Sequence, residues 1–128
     1  MELAIVGWRK MKGDAHQQLF NDTLERFVVE YGLPKVVISG GAAGADTMGE
    51  KWAKMRKIPT KILKPQWKNA QGVYDKAAGI KRNTDIVAAC THMVAFPSDQ
   101  GRGTQDSILK ARKSGKIVME IKLKDATY

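Results

Sequence analysis

Apolar residues in this chain come in short runs separated by longer stretches of mixed character. Leu3-Ala4-Ile5-Val6 is the first run and stops at Gly7, and Val36-Val37-Ile38 is the second, stopped by Ser39-Gly40-Gly41. Lys61-Ile62-Leu63 is a weaker third, residues 92–96 are the fourth and residues 117–121 the fifth. Uninterrupted apolar runs this short, bounded by turn residues, read as strands covered on both faces. Between them the period changes. Phe20, Leu24, Phe27, Val28 and Tyr31 recur at helical spacing, with Asp14 as the predicted N-cap and Gly32 and Pro34 closing the helix. Met48, Trp52 and Met55 mark the inner face of a second helix that starts near Ala45 and ends before Pro59. Residues 65–75 read as a long connection, and residues 76–89 as a third helix with Gly79 as a weak point. After a polar loop at 97–103, Thr104 is the predicted cap of a fourth helix. That helix carries Lys110, Arg112 and Lys113 towards its end and Gly115 just past it.

Strands that alternate with helices predict an α/β fold: a five-stranded parallel sheet with right-handed crossovers and helices on both faces. Two strand orders satisfy the pattern, 3-2-1-4-5 and 2-1-3-4-5, and the pattern alone separates them poorly. A length of 128 residues predicts one domain over 1–128.

Composition narrows the function. Hydrophobic residues are 43% and charged residues 27%, which excludes a disordered chain. Cys90 is the one cysteine, so no internal disulfide is available, as expected for a reducing cytoplasm. Met1-Glu2-Leu3-Ala4-Ile5-Val6-Gly7 lacks the basic start and long apolar run of a signal peptide. Nor does any stretch approach the ~20 apolar residues of a membrane span, so a cytoplasmic protein with no membrane partner is expected. Lys and Arg number 22 against 13 Asp and Glu, a net charge of +9, which makes an anionic partner attractive without naming it.

Ligands in parallel sheets bind at the carboxyl ends of the strands, where the strand order reverses. In the 3-2-1-4-5 order, three loops meet there: Gly7-Trp8-Arg9, residues 39–46 and residues 97–104. The second reads Ser39-Gly40-Gly41-Ala42-Ala43-Gly44-Ala45-Asp46. Its small residues allow close backbone approach, and the helix that follows favours an anion. It is neither a Walker A loop nor a Gly-x-Gly-x-x-Gly fingerprint. A tight turn packed with small residues, with Asp46 favouring the helix dipole, is an equal reading. Gly101-Arg102-Gly103-Thr104 repeats the design and adds a cation. Lys81 and Arg82 either line the same crevice or lie on an exposed basic helix face. Trp8 either stacks on a base or plugs its loop, and Trp67 is less readily assigned to the core than Trp52. His16 and His92 have no partners at metal-ligand spacing, so no metal and no cofactor are expected. Trp52 and Cys90 read as core.

Taken together, several motifs resemble the YspA-like branch of the SLOG superfamily, which is related to LOG phosphoribohydrolases, YpsA and DprA. They are Gly7-Trp8-Arg9, the loop at 39–46, Trp52-Ala53, Trp67, Ala77-Ala78-Gly79 with Arg82-Asn83, and Ala95-Phe96-Pro97 leading to Gly101-Arg102-Gly103-Thr104. The resemblance covers almost the whole chain and implies a three-layer Rossmann-like domain with the 3-2-1-4-5 order. It also implies a nucleotide or nucleotide-derived, ADP-ribose-like ligand. The implied ligand-binding set is Gly7, Trp8, Arg9, Ser39, Gly40, Gly41, Gly44, Asp46, Arg82, Asn83, Gly101, Arg102, Gly103 and Thr104. LOG-type members cleave the N-glycosidic bond of nucleoside monophosphates with an arginine and a glutamate. By position Arg82 and Asp106 look like that pair. The proline-led loop here lacks the glycine pair of that group, and Asp106 is one methylene shorter than Glu. Binding of a small phosphorylated ligand is therefore the leading expectation. A phosphoribohydrolase and a DprA-like single-stranded nucleic-acid-binding module are the alternatives, and homo-oligomerisation is left open.

Overall fold

A computed structural model describes residues 1–98 and 102–123. The elements run β1 (Glu2–Gly7), α1 (Gly13–Tyr31), β2 (Val36–Ser39), α2 (Ala45–Met55), β3 (Thr60–Ile62), α3 (Ala78–Ala89), β4 (His92–Phe96), α4 (Arg102–Lys113) and β5 (Ile117–Glu120). The strands form a five-stranded parallel sheet in the order β3-β2-β1-β4-β5. Of the two orders the pattern allowed, this is 3-2-1-4-5.

Strand alternation explains the layers. Successive side chains of β1 point to opposite faces of the sheet. Leu3 and Ile5 join one buried cluster with Phe20, Leu24 and Phe27 of α1 and Trp52 of α2. Ala4 and Val6 join another with Ile86 and Val87 of α3 and Ile108 and Ala111 of α4. Cys90 is buried in this second cluster. Phe20 stacks on Phe96 at 5.3 Å between ring centres, tying α1 to the centre of the sheet. Among the described residues, no helix is long and apolar enough to cross a membrane.

Local details differ from the pattern in three places. Met55, expected on the inner face of α2, is 82% exposed, because Met48, Gly49, Trp52 and Ala53 make up the face turned to the sheet and Met55 lies past it in the last turn. Lys12, not Asp14, is the N-cap of α1, and Asp14 lies in the first turn. The buried His16 accepts the Lys12 N–H through Nδ1 at 3.0 Å, so an imidazole one turn into the helix bonds back to the N-cap backbone, while no N-cap side chain bonds the helix's first amides. Helix α4 starts at Arg102, so Gly103 and Thr104 sit within its first turn rather than before it. Thr104 is buried there, turned inward instead of capping.

The sheet positions the crevice. Gly7 pairs with Phe96 in register, so β1 and β4 end at the same level. Beyond that level the chain leaves β1 for α1 and β4 for α4 on opposite faces of the sheet.

Candidate functional site

At this end of the sheet lies a cavity of about 700 Å³. Its walls come from the residues after β1, the loop between β2 and α2, the segment after β3, the inner face of α3 and the first turn of α4.

The β1 end is built for close approach. A Cβ on Gly7 would lie 2.6 Å from the Ala45 Cβ and 3.1 Å from the Phe96 carbonyl oxygen. Only hydrogen fits where α2 begins against the strand. The Trp8 N–H donates to the Phe96 carbonyl at 3.0 Å, and the Trp8 carbonyl accepts the Ala45 N–H at 3.2 Å. Gly44 has a φ of +76°, and a Cβ there would run into that Trp8 carbonyl. The glycine thus serves a backbone-to-backbone contact between two loops.

The loop between β2 and α2 is internally bonded. The Gly41 N–H donates to Ser39 Oγ at 3.1 Å, and the Ser39 hydroxyl donates to Glu50 Oε2 at 2.7 Å. The Ala42 N–H donates to Asp46 Oδ2 at 3.1 Å, and Thr47 Oγ1 donates to the Ala42 carbonyl at 3.0 Å. The Gly41 and Ala42 amides are therefore engaged within the loop, and the positive charge at the cavity comes from side chains. Asp46 is 7% exposed. Burial pushes its carboxyl up to about 6, against the lowering effect of the Ala42 amide and the Arg82 guanidinium.

Helix α3 supplies the opposite wall. Arg82 Nη1 donates to the Gly40 carbonyl at 2.8 Å and Nε donates to Asn83 Oδ1 at 3.2 Å. A Cβ on Gly40 would lie 2.5 Å from that Nη1, so the bare glycine lets the guanidinium lie across the loop. Buried Asn83 then donates through Nδ2 to the Gly103 carbonyl and to Asp106 Oδ2, each at 3.2 Å. Asp106 pairs with Lys110 at 2.9 Å.

The structure brings eleven of the residues singled out in the sequence to this cavity: Gly7, Trp8, Arg9, Gly40, Gly41, Asp46, Arg82, Asn83, Arg102, Gly103 and Thr104. Ser39 lies beneath the loop as its internal partner, and Gly44 lies behind it against Trp8. Asp106 is not part of the wall and stands behind Asn83. Gly101 lies outside the described residues. The wall also contains Lys10, Lys64 and Ser107, which sequence reasoning did not select, and Trp67, which it noted without placing in the site. Ser107 was reachable by counting, since it is one helical turn from Gly103 and Thr104. Lys64 was reachable from topology, as it follows the carboxyl end of β3. The five cations in the wall are Arg9, Lys10, Lys64, Arg82 and Arg102, and Asp46 is its only acid among the described residues. Among those residues, no three His, Cys, Asp or Glu side chains are grouped to hold a metal ion.

No protein-family model matches the chain. It is 34% identical over 91 residues to the Gene 61 protein of Mycobacterium phage D29, covering 66% of this chain and 68% of that one. In fold it is similar to DNA processing protein A (DprA) from Streptococcus pneumoniae, with a TM-score of 0.69 and 18% identity. That match covers 93% of this chain but 49% of the other, so the chain spans about half the length of that protein. DprA from Helicobacter pylori, a protein with a described single-stranded DNA binding mode, matches with a TM-score of 0.68 and 19% identity, over 94% of this chain and 64% of that one. The chain belongs to the family of the phage D29 Gene 61 protein, and it has the Rossmann-like fold it shares with DprA.

Proposed function

We propose that residues 1–128 act as one domain that binds a small phosphorylated ligand of the nucleotide or ADP-ribose type in this cavity. The observation that carries the reading is the ring of five cations around a cavity of about 700 Å³ at the strand-order switch point. Arg9 and Arg102 are exposed and supply charge for a phosphate group. Arg82 is already held by Gly40 and Asn83, so little side-chain freedom is lost when a ligand meets it. Thr104 and Ser107 add hydroxyls on the inner side of α4. Asp106, paired with Lys110 behind the wall, favours binding without N-glycosidic cleavage.

Isothermal titration with nucleoside 5′-monophosphates and ADP-ribose tests the reading. Saturable binding is expected, weakened tenfold or more in the double variant Arg9→Ala, Arg102→Ala. No heat at millimolar ligand overturns it. Release of free base from a nucleoside 5′-monophosphate, lost in Asp106→Ala, would convert the reading to a phosphoribohydrolase.

A second reading, a single-stranded nucleic acid partner, is supported by the likeness in fold to DprA and by the net charge of +9. It requires an oligonucleotide to bind far more tightly than its mononucleotide at equal salt.

A further inference from the structure

We infer that Trp67, backed by Tyr74, is the base-stacking platform of this cavity. The inference rests on the nucleotide reading above and adds the group that recognises the base.

Trp67 lies in the segment between β3 and α3 and forms part of the cavity wall. It is 44% exposed, and Tyr74 is 58% exposed. Their rings are nearly parallel, 9° apart in plane and 5.9 Å between centres. The indole thus has an offset, parallel aromatic neighbour, while much of the residue stays exposed. A large aromatic surface left to solvent beside cations suits a planar ligand group, because every nucleobase has a face to stack.

The pair is held in place rather than loosely tethered. Lys68 and Tyr74 form an antiparallel bridge. Asn69 Oδ1 accepts the Gln71 and Val73 N–H groups, each at 2.9 Å, and the Asn69 N–H donates to the Val73 carbonyl at 3.0 Å. The Asp75 N–H closes the turn on the Trp67 carbonyl at 2.6 Å. The Asp75 carboxylate then accepts from Lys81 Nζ at 2.6 Å and from the Ala77 N–H at 2.9 Å, which fastens the hairpin to the start of α3. The indole edge rests there too, with Cη2 3.5 Å from where a Cβ on Gly79 would stand. Such a platform is organised before a ligand arrives, which lowers the cost of binding.

Trp8, the other tryptophan of the wall, is less suited. It packs against the buried cluster under α1 and meets His16 edge-on at 6.0 Å. Its ring serves the protein interior, whereas Trp67 joins neither buried cluster and is 44% exposed.

The test compares AMP with ribose 5-phosphate, which carries the phosphate and sugar without the base. Calorimetry on the wild type, Trp67→Leu and Trp67→Phe reads both affinities, with thermal unfolding as a control for the fold. Trp67→Leu is expected to weaken AMP roughly 5- to 150-fold, the range for loss of one base–aromatic stack. Ribose 5-phosphate affinity should stay unchanged, and Trp67→Phe should recover most of the AMP affinity. An unchanged AMP affinity in Trp67→Leu overturns this inference and leaves the nucleotide reading standing. Equal weakening of both ligands also overturns it, since the ring would then support the wall rather than the base. Failure of the wild type to bind either ligand rejects the nucleotide reading and this inference with it.

Discussion

Asp46 is a residue whose chemistry is strongly altered by its position. Its carboxyl rises from 3.8 to about 6 because burial penalises the ionised form more than Arg82 and the Ala42 amide favour it. The sign of the linkage follows. The folded protein holds this proton more tightly than the unfolded chain does. The stabilisation is complete below about pH 4 and is lost as pH rises through about 6, on the order of 3 kcal/mol in all. Asn keeps an oxygen for the Ala42 N–H without the charge. Asp46→Asn is therefore expected to exceed the wild type in stability by on the order of 1–3 kcal/mol at pH 8, with the gap closing near pH 4. Urea unfolding at the two pH values checks this, and a gap that does not vary with pH contradicts it. The same carboxylate opposes an anion in the cavity. Sulfate, whose charge is constant between pH 5 and 8, should bind several-fold more tightly at the lower pH, with this dependence flattened in Asp46→Asn. Gly44 makes a separate residue-level case. The sequence marked it for close approach to a ligand, but what approaches is the Trp8 carbonyl. Gly44→Ala should cost more than ~1 kcal/mol through its positive φ and that contact, read as a fall in denaturation midpoint.

At the scale of elements, the strands and their connections were legible because each apolar run is short and ends in small or polar residues. The crossover pattern then left two orders, and pairing of β1 with both β2 and β4 selects one. The start of α4 was misread because Thr104 has a side chain suited to a cap, while the cap position is decided by where the chain turns. The bond from His16 to the N-cap backbone was not legible, since it depends on an imidazole folded back onto the Lys12 amide. Most glycine-loop residues of the site were legible from their position after strands. Trp67 was noted but could not be placed in the site, because its segment has no periodic pattern to orient its side chains. Helices α3 and α4 meet through Asn83, which joins Arg82, the Gly103 carbonyl and Asp106. Asn83→Ala leaves these groups without that partner and should cost about 1–3 kcal/mol. A loss under about 0.5 kcal/mol in chemical denaturation would show that the junction does not depend on it.

For the whole molecule, the net charge of +9 first suggests any polyanion. The fold changes that picture by gathering five cations around one crevice. A ligand with one or two phosphates neutralises few charges, so its affinity should fall only shallowly with salt. A bound strand would release about one counterion per phosphate contact and fall steeply. The most direct measurement is backbone and indole NMR during titration with AMP. Saturating shifts are expected at Gly40, Gly41, Gly103, Thr104 and the Trp67 indole N–H, with residues at the opposite end of the sheet, such as Lys35 and Thr91, unmoved. Shifts confined to that opposite end, or none at millimolar AMP, would contradict the account.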